Sequence, residues 1–255
     1  MKKTKVVMLL GDDELSSLMF NGIKEQFLIE KVIIEESGSK IKLLLRRIKR
    51  LGVFVVFGQV IFLLYTFYLR INSKKRIDEI KTQHALLDSP IDESIVTRVT
   101  SINCEETLNL LRQYKPDVVI VNGTSIIKKK ILETFKIPFI NTHMGITPKY
   151  RGVHGGYWAL ASNDDKHCGV TIHMVDAGID TGGVLNQKTI SITKDDTFIT
   201  YPYLQLSMAI PLMAKTISQV TSNKYTFKKN DLPSKLWSHP TIFQYIKYRK
   251  LYGVK

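Results

Sequence analysis

Three short runs, KVVMLL (5–10), DVVIVNG (117–123) and PFIN (138–141), constrain this chain most. Each is apolar at consecutive positions, the pattern of a parallel strand buried on both faces rather than of an amphipathic element. KVIIEE (31–36), GVTIHMV (169–175) and VLNQKTISI (184–192) extend the series. Helical patterns lie between them. DDELSSLMFNGI (12–23) opens with acidic residues in its first turn, Glu105 to Gln113 and Lys128 to Phe135 follow, and Phe198 to Thr221 reads as a long helix. Strands alternating with helices predict an α/β fold with a doubly wound, mostly parallel sheet. We expect one domain over residues 1–195, with a basic apolar helical insertion at about 38–80. Residues 196–255 are expected to form a C-terminal helix and tail packed on the same domain.

In such sheets ligands bind beyond the carboxyl ends of the strands, where Gly123 and Asn141 fall. The stretch FINTHMGITPKYRG (139–152) starts as a strand and ends in a loop. Asn141 and His143 are two apart, so in extended chain their side chains leave the same face. A second cluster, GVTIHMVDAGIDTGG (169–183), ends in a turn-rich loop carrying Asp180. If the two strands are neighbours, Asn141, His143 and Asp180 converge. Each suits acyl transfer to an amine. The amide and imidazole donate to a developing oxyanion, and the carboxylate orients the imidazole, raises its pKa and accepts the proton shed by the amine. Taken alone, an Asn-x-His pair is ordinary loop chemistry. His173, between Ile172 and Met174, is expected to be a satisfied strand histidine, and Asp165 and His167 a solvated turn.

INTHMGITPKYRG followed by HMVDAGIDTGGVL resembles the signature of the folate-dependent formyltransferases, whose members act on glycinamide ribonucleotide, methionyl-tRNA or amino sugars. The similarity covers roughly residues 115 to 192. It implies a Rossmann-like formyltransferase fold, Asn141, His143 and Asp180 as the catalytic set, and 10-formyltetrahydrofolate as formyl donor, with no metal. By position it also implies that the pterin lies against Gly123, Thr124, Ser125, Ile126 and Ile127, and against Val175, Asp176, Ala177 and Gly178. Arg151 is a candidate for an acceptor phosphate or for anchoring its loop. His154 and Tyr157 are candidate acceptor contacts; a surface loop histidine and a core aromatic are the alternatives.

The family's purine-synthesis members carry a small Gly-Ser-Asn loop after the first strand. Here that stretch is LLGDDELSS, and three carboxylates make a poor phosphate cradle. The methionyl-tRNA members carry a C-terminal barrel, whereas the residues after 192 read as one helix and a tail. The expected acceptor is therefore a small-molecule primary amine, foremost a nucleotide-linked amino sugar for surface polysaccharide, with no nucleic-acid partner. Another amine acceptor, or a non-catalytic membrane-attached module of the same fold, is the alternative.

The chain carries a formal charge of +14, and eleven basic residues against Asp78 and Glu79 give the stretch from Lys40 to Lys81 +9 of it. Inside lies LGVFVVFGQVIFLLYTFYL (51–69), nineteen uncharged residues. A single span would put strands of one sheet on opposite sides of a bilayer, so three placements stay open. The run packs on the domain, joins two copies in a homodimer, or dips into one leaflet so that 40–81 makes peripheral membrane contact. Two distant cysteines, Cys104 and Cys168, match no metal or redox spacing, and the short apolar start is not a signal sequence. A cytoplasmic location, with association to the inner face of the membrane left open, is expected.

Overall fold

The computed structural model describes residues 3–36, 38 and 40–255. Seven strands form the main sheet: β1 (Lys5–Gly11), β2 (Leu28–Glu35), β3 (Val96–Val99), β4 (Val118–Asn122), β5 (Phe139–His143), β7 (Gly169–Met174) and β8 (Val184–Thr189), with β6 (Arg151–Gly152) lying elsewhere. Their order is β3-β2-β1-β4-β5-β7-β8. The first five run parallel, and β7 and β8 are antiparallel to their neighbours. Strand β3 has the weakest apolar pattern, VTRV, and the sequence reading had no strand there.

The consecutive apolar residues of β1 serve two cores because alternate side chains leave opposite faces. Val6, Met8 and Leu10 enter one cluster, and Val7 and Leu9 the other. The helices are α1 (Glu14–Ile23), α2 (Lys40–Leu51), α3 (Val53–Gln83), α4 (Glu105–Tyr114), α5 (Lys129–Thr134), α6 (Gly155–Ala161), α7 (Tyr201–Thr221) and α8 (Ile242–Tyr252). Residues Leu108, Leu111 and Ile131 of α4 and α5 cover the second cluster; α1, α3, α6 and α7 contribute to the first. Helix α7 packs on β7, β8 and α1, and α8 packs on α3 and α6.

The basic insertion is a pair of helices. Gly52, at φ +85°, breaks the chain between α2 and α3, a conformation that L side chains rarely adopt. Helix α3 then runs through Arg70 to Gln83, well beyond the uncharged run, because a stripe of Val56, Phe62, Leu69, Ile77 and Ile80 stays buried along it.

The sheet changes direction beside β1, whose neighbours are β2 on one side and β4 on the other. Here the strand ends approach closely: a Cβ on Gly11 would lie 2.4 Å from the Gly123 carbonyl oxygen. A side chain at 11 would wedge the strand ends apart. The loops after β4 and β5 leave the sheet at this end.

Candidate functional site

Strand β5 presents Asn141 and His143 two residues apart, and antiparallel β7 sets His173 directly opposite Asn141. Asn141 Nδ2 donates to His173 Nε2 at 3.1 Å, and His173 Nδ1 donates to the Met174 carbonyl at 2.7 Å. The loop after β7 returns Asp180 to the same point. Its Oδ2 lies 3.2 Å from His143 Nδ1, its Oδ1 3.6 Å from His173 Nε2, and the Gly152 N–H donates to Oδ2 at 2.8 Å. The expected triad therefore converges, with His173 as a fourth member. Both ring nitrogens of His173 are hydrogen-bonded, as in a satisfied strand histidine, and the ring also stands against the triad.

His143 Nε2 lies 2.6 Å from the Tyr150 carbonyl. A carbonyl only accepts, so Nε2 carries the proton, and Nδ1 in the neutral ring presents a lone pair toward Asp180. Gly145 permits this arrangement: a Cβ there would stand 2.4 Å from the Tyr150 oxygen and 2.7 Å from His143 Nε2. Burial pushes the His143 pKa below the ordinary histidine value, against the opposing pull of the Asp180 charge and the Tyr150 carbonyl. Burial also disfavours the charge on Asp180, but the nearby His173 and His143 rings and the Gly152 N–H together hold its carboxyl at about 2. At neutral pH the pair is thus a neutral imidazole against a carboxylate. Asp180 sits at φ +51°, in the left-handed region, an uncommon backbone state for a residue with a side chain. The surrounding loop imposes it: Asp176 Oδ1 accepts from the Gly178 N–H and from Thr181 Oγ1 at 3.0 and 2.7 Å.

Ile127 and Val175 pack in one apolar cluster with Val121 and Phe139, while Gly123, Ser125, Ile126, Asp176, Ala177 and Gly178 are exposed above it and Thr124 is half-buried. An apolar floor rimmed by peptide edges suits a flat heterocycle with hydrogen-bonding edges. Two residues that the sequence reading did not single out hold this rim. Glu35, at the carboxyl end of β2, accepts from Ser125 N at 2.6 Å, Ser125 Oγ at 2.8 Å and Ile102 N at 2.9 Å. Asn103 donates to the Ile126 carbonyl and accepts from Lys128 N. The strand-end position of Glu35 was the one available signal; Asn103 had none.

Arg151 reaches the Asp180 loop, donating weakly to the Ile179 carbonyl at 3.4 Å, and its buried Nε has no partner among the described residues. His154 and Tyr157 do not join the site. The His154 ring packs on Phe198 at 4.6 Å and bonds His239 at 3.0 Å, and burial drives its pKa down to about 3. Tyr157 is only 2% exposed, among Trp158, Phe198 and Tyr245. Both expectations of acceptor contact are corrected: the turn into α6 points these rings into the core. His167 is not a free turn residue either, since its Nδ1 lies 2.7 Å from Asp164 Oδ1.

The carboxylates after β1 are all engaged. Asp13 caps α1 by accepting from Ser16 N at 2.8 Å, Asp12 lies 3.6 Å from Arg98, and Glu14 is bound by Lys81 and the Tyr203 hydroxyl.

A family profile described as "Formyl transferase" matches residues 32–203. A methionyl-tRNA formyltransferase from Finegoldia magna is 42% identical over 96 residues, 37% of this chain and 31% of that protein. One from Thermodesulfovibrio yellowstonii is 34% identical over 137 residues, 54% of this chain and 41% of that protein. These matches span less than half the length of either relative. Among solved structures, a phosphoribosylglycinamide formyltransferase from Anaplasma phagocytophilum superposes with a TM-score of 0.59 at 15% identity, covering 91% of this chain and 97% of that one. A sugar N-formyltransferase from Shewanella sp. gives 0.57 at 14% identity, covering 91% of this chain and 76% of that one. Identities this low speak for a shared fold, the Rossmann-like α/β fold expected from the strand pattern. The chain belongs to the formyl transferase family.

Proposed function

We propose that this chain transfers a formyl group from 10-formyltetrahydrofolate to the primary amine of a small acceptor, foremost a nucleotide-linked amino sugar. The observation that carries the reading is the convergence of Asn141, His143, His173 and Asp180 from two strands and a loop at the carboxyl end of β5. The donor would rest on the rim of Gly123 to Ile127 and Val175 to Gly178. When bound, it supplies an N-formyl carbonyl.

One hydrogen of the Asn141 amide is committed to His173; the other is available to the carbonyl oxygen as it gains negative charge. The bond to the attacking amine forms as that nitrogen sheds a proton. Asp180, held at about 2, is too weak a base to keep it. The proton therefore rests on His143 Nδ1, where the lone pair facing a carboxylate becomes a donor and the imidazolium is bonded at both ends, to Asp180 and to the Tyr150 carbonyl. The bond from the formyl carbon to the donor nitrogen then breaks, and His143 Nδ1 passes its proton to that departing nitrogen. His173 fixes the Asn141 amide, and the Gly152 N–H fixes the Asp180 carboxylate.

The acceptor reading rests on the first loop. Asp13 is spent as a helix cap and Glu14 as an ion-pair partner, so neither offers a phosphate a cradle. Arg151, with an unpartnered Nε beside the Asp180 loop, is the cation best placed for an acceptor phosphate. A second reading takes the amine of methionyl-tRNA as acceptor, and the two sequence relatives, both methionyl-tRNA formyltransferases, favour it. It removes any ground for excluding nucleic acid.

Purified chain, 10-formyltetrahydrofolate and a panel of nucleotide-linked amino sugars alongside methionyl-tRNA provide the test. The expected result is a mass gain of one formyl group on an amino sugar, with a folate-analogue thermal shift that follows mass action. Formylation of methionyl-tRNA alone would replace the first acceptor by the second. No product and no thermal shift would sink the enzymatic reading.

A further inference from the structure

We propose that the outer face of α2 and the first half of α3, edged by α8, is a docking surface for an anionic lipid bilayer. Helix α3 is fastened to the domain along its whole length. Gln59 Nε2 donates to the His239 carbonyl at 2.7 Å, Phe62 meets Phe198 edge-on at 4.9 Å, and Arg76 Nε donates to the buried Asp196 at 2.9 Å. A crossing of the bilayer would strip these groups from their partners. The helix lies along the protein instead, and its other side is apolar. Phe54 is 85% exposed, Ile71 76%, and Phe57, Leu63, Leu64 and Phe67 lie between 59% and 64%. From Val53 to Ile71 the face runs about 27 Å at the rise of an α-helix. A contiguous apolar face of that length on a folded chain marks a contact surface.

Helix α2 continues it. Ile41, Leu44, Leu45 and Ile48 fall on one helical stripe, of which Ile41, Leu44 and Leu45 are exposed, and Arg46, Lys49 and Arg50 stand exposed on the other side. At the far edge, exposed Phe243 of α8 sits against Gly58 of α3, followed by exposed Lys247 and Lys250. Between residues 40 and 71 there are seven basic residues and no carboxylate.

Charge selects the occupant. A second copy seated on this face by two-fold symmetry would bring one basic helix against another. RNA would neutralise the charge and stack bases on the phenyl rings, but it would leave the aliphatic part of the face, Leu63, Leu64 and Ile71, in water. An anionic bilayer takes both: headgroups meet the arginines and lysines while the phenyl and leucyl side chains enter the acyl boundary. The surface is separate from the Asn141–Asp180 site, so the proposal stands apart from the catalytic reading.

The test uses the full chain and vesicles of phosphatidylcholine with or without phosphatidylglycerol. Pelleting with the anionic vesicles, weakened by salt, and little with neutral ones is expected. Phe54→Glu/Phe57→Glu and Arg46→Glu/Arg50→Glu should each lower the partition constant on the order of tenfold or more. Both variants change exposed positions, and an unaltered thermal midpoint checks their folding. No pelleting with either vesicle overturns the proposal. So does equal pelleting with both, which removes the role of charge. Tight binding to a labelled RNA that is weakened by Phe54→Glu/Phe57→Glu, with no vesicle binding, assigns the face to nucleic acid. A concentration-dependent dimer lost in that variant, again without vesicle binding, assigns it to a second copy.

Discussion

His143 Nδ1 faces Asp180 Oδ2 at 3.2 Å while the opposite ring nitrogen donates to the Tyr150 carbonyl, so the ring is bonded at both ends only once it takes a second proton. Burial opposes that proton in the resting site and keeps the His143 pKa below its ordinary value. The acid limb of kcat/KM should therefore lie below the usual histidine value of about 6.5. Asp180→Asn removes the negative charge that favours the imidazolium. Its limb should move to still lower pH, with kcat/KM reduced about 10²- to 10⁴-fold. A pH-rate profile on both proteins checks this. A wild-type limb above neutrality would contradict the neutral resting imidazole.

The amide of Asn141 acts on a carbonyl, whereas His173 acts on Asn141. Asn141→Ala should cut kcat about 10²- to 10³-fold, the cost of one oxyanion donor. His173→Gln retains a polar group of similar reach and should cost less, about tenfold, because the Asn141 amide loses its fixed orientation but keeps its chemistry. Both should leave the folate-analogue dissociation constant nearly unchanged. A His173→Gln variant with full kcat would reduce this residue to the satisfied strand histidine that its sequence setting suggests.

Gly145 is needed for the space its missing Cβ leaves between the Tyr150 carbonyl and the His143 ring. Gly145→Ala puts a methyl 2.4 Å from that oxygen, and the loop must shift to accommodate it. The expected destabilisation is about 1–3 kcal/mol, typical of overpacking. Activity should fall further than unfolding explains, because the Nε2 partner moves. Urea midpoints read beside kcat at a temperature where the variant is fully folded separate the two effects.

The parallel strands and the triad were legible because each leaves a local signature. A doubly buried strand has to be apolar at consecutive positions, and an Asn-x-His pair at a strand's end leaves one face. What was not legible depends on register or on the backbone. Pairing of β5 with β7 puts His173 opposite Asn141, and no spacing within either segment announces it. The Tyr150 carbonyl that holds His143 is main chain, and main chain carries no side-chain signal. His154 and Tyr157 looked like acceptor contacts because they follow the Arg-Gly loop; the left-handed backbone at His154, φ +58°, turns the chain into α6 and its rings inward. The nineteen uncharged residues met the length of a span, yet the buried stripe of α3 continues through Ile77 and Ile80, past the end of the run. Apolar length alone does not tell a helix lying on a domain from one crossing a bilayer.

Asp164 anchors the loop that delivers Tyr150 to His143, and its ionisation supports the fold. It accepts from Lys149 Nζ at 2.6 Å, the Tyr150 hydroxyl at 2.7 Å and His167 Nδ1 at 2.7 Å. Burial disfavours its charge, but these three partners outweigh burial and hold the carboxyl at about 2. A carboxyl depressed in the folded state stabilises the fold above its unfolded pKa of about 3.9, and that contribution is lost as pH falls through the folded value. The gap corresponds to about 2–3 kcal/mol. Asp164→Asn should therefore lower the unfolding free energy by about 2–3 kcal/mol at neutral pH, with the difference from the parent shrinking between about pH 4 and pH 2. Urea denaturation across that range checks both the size and the window. A difference that stays constant down to pH 2 would mean that the carboxylate's charge contributes nothing, and that the variant loses hydrogen-bond geometry alone.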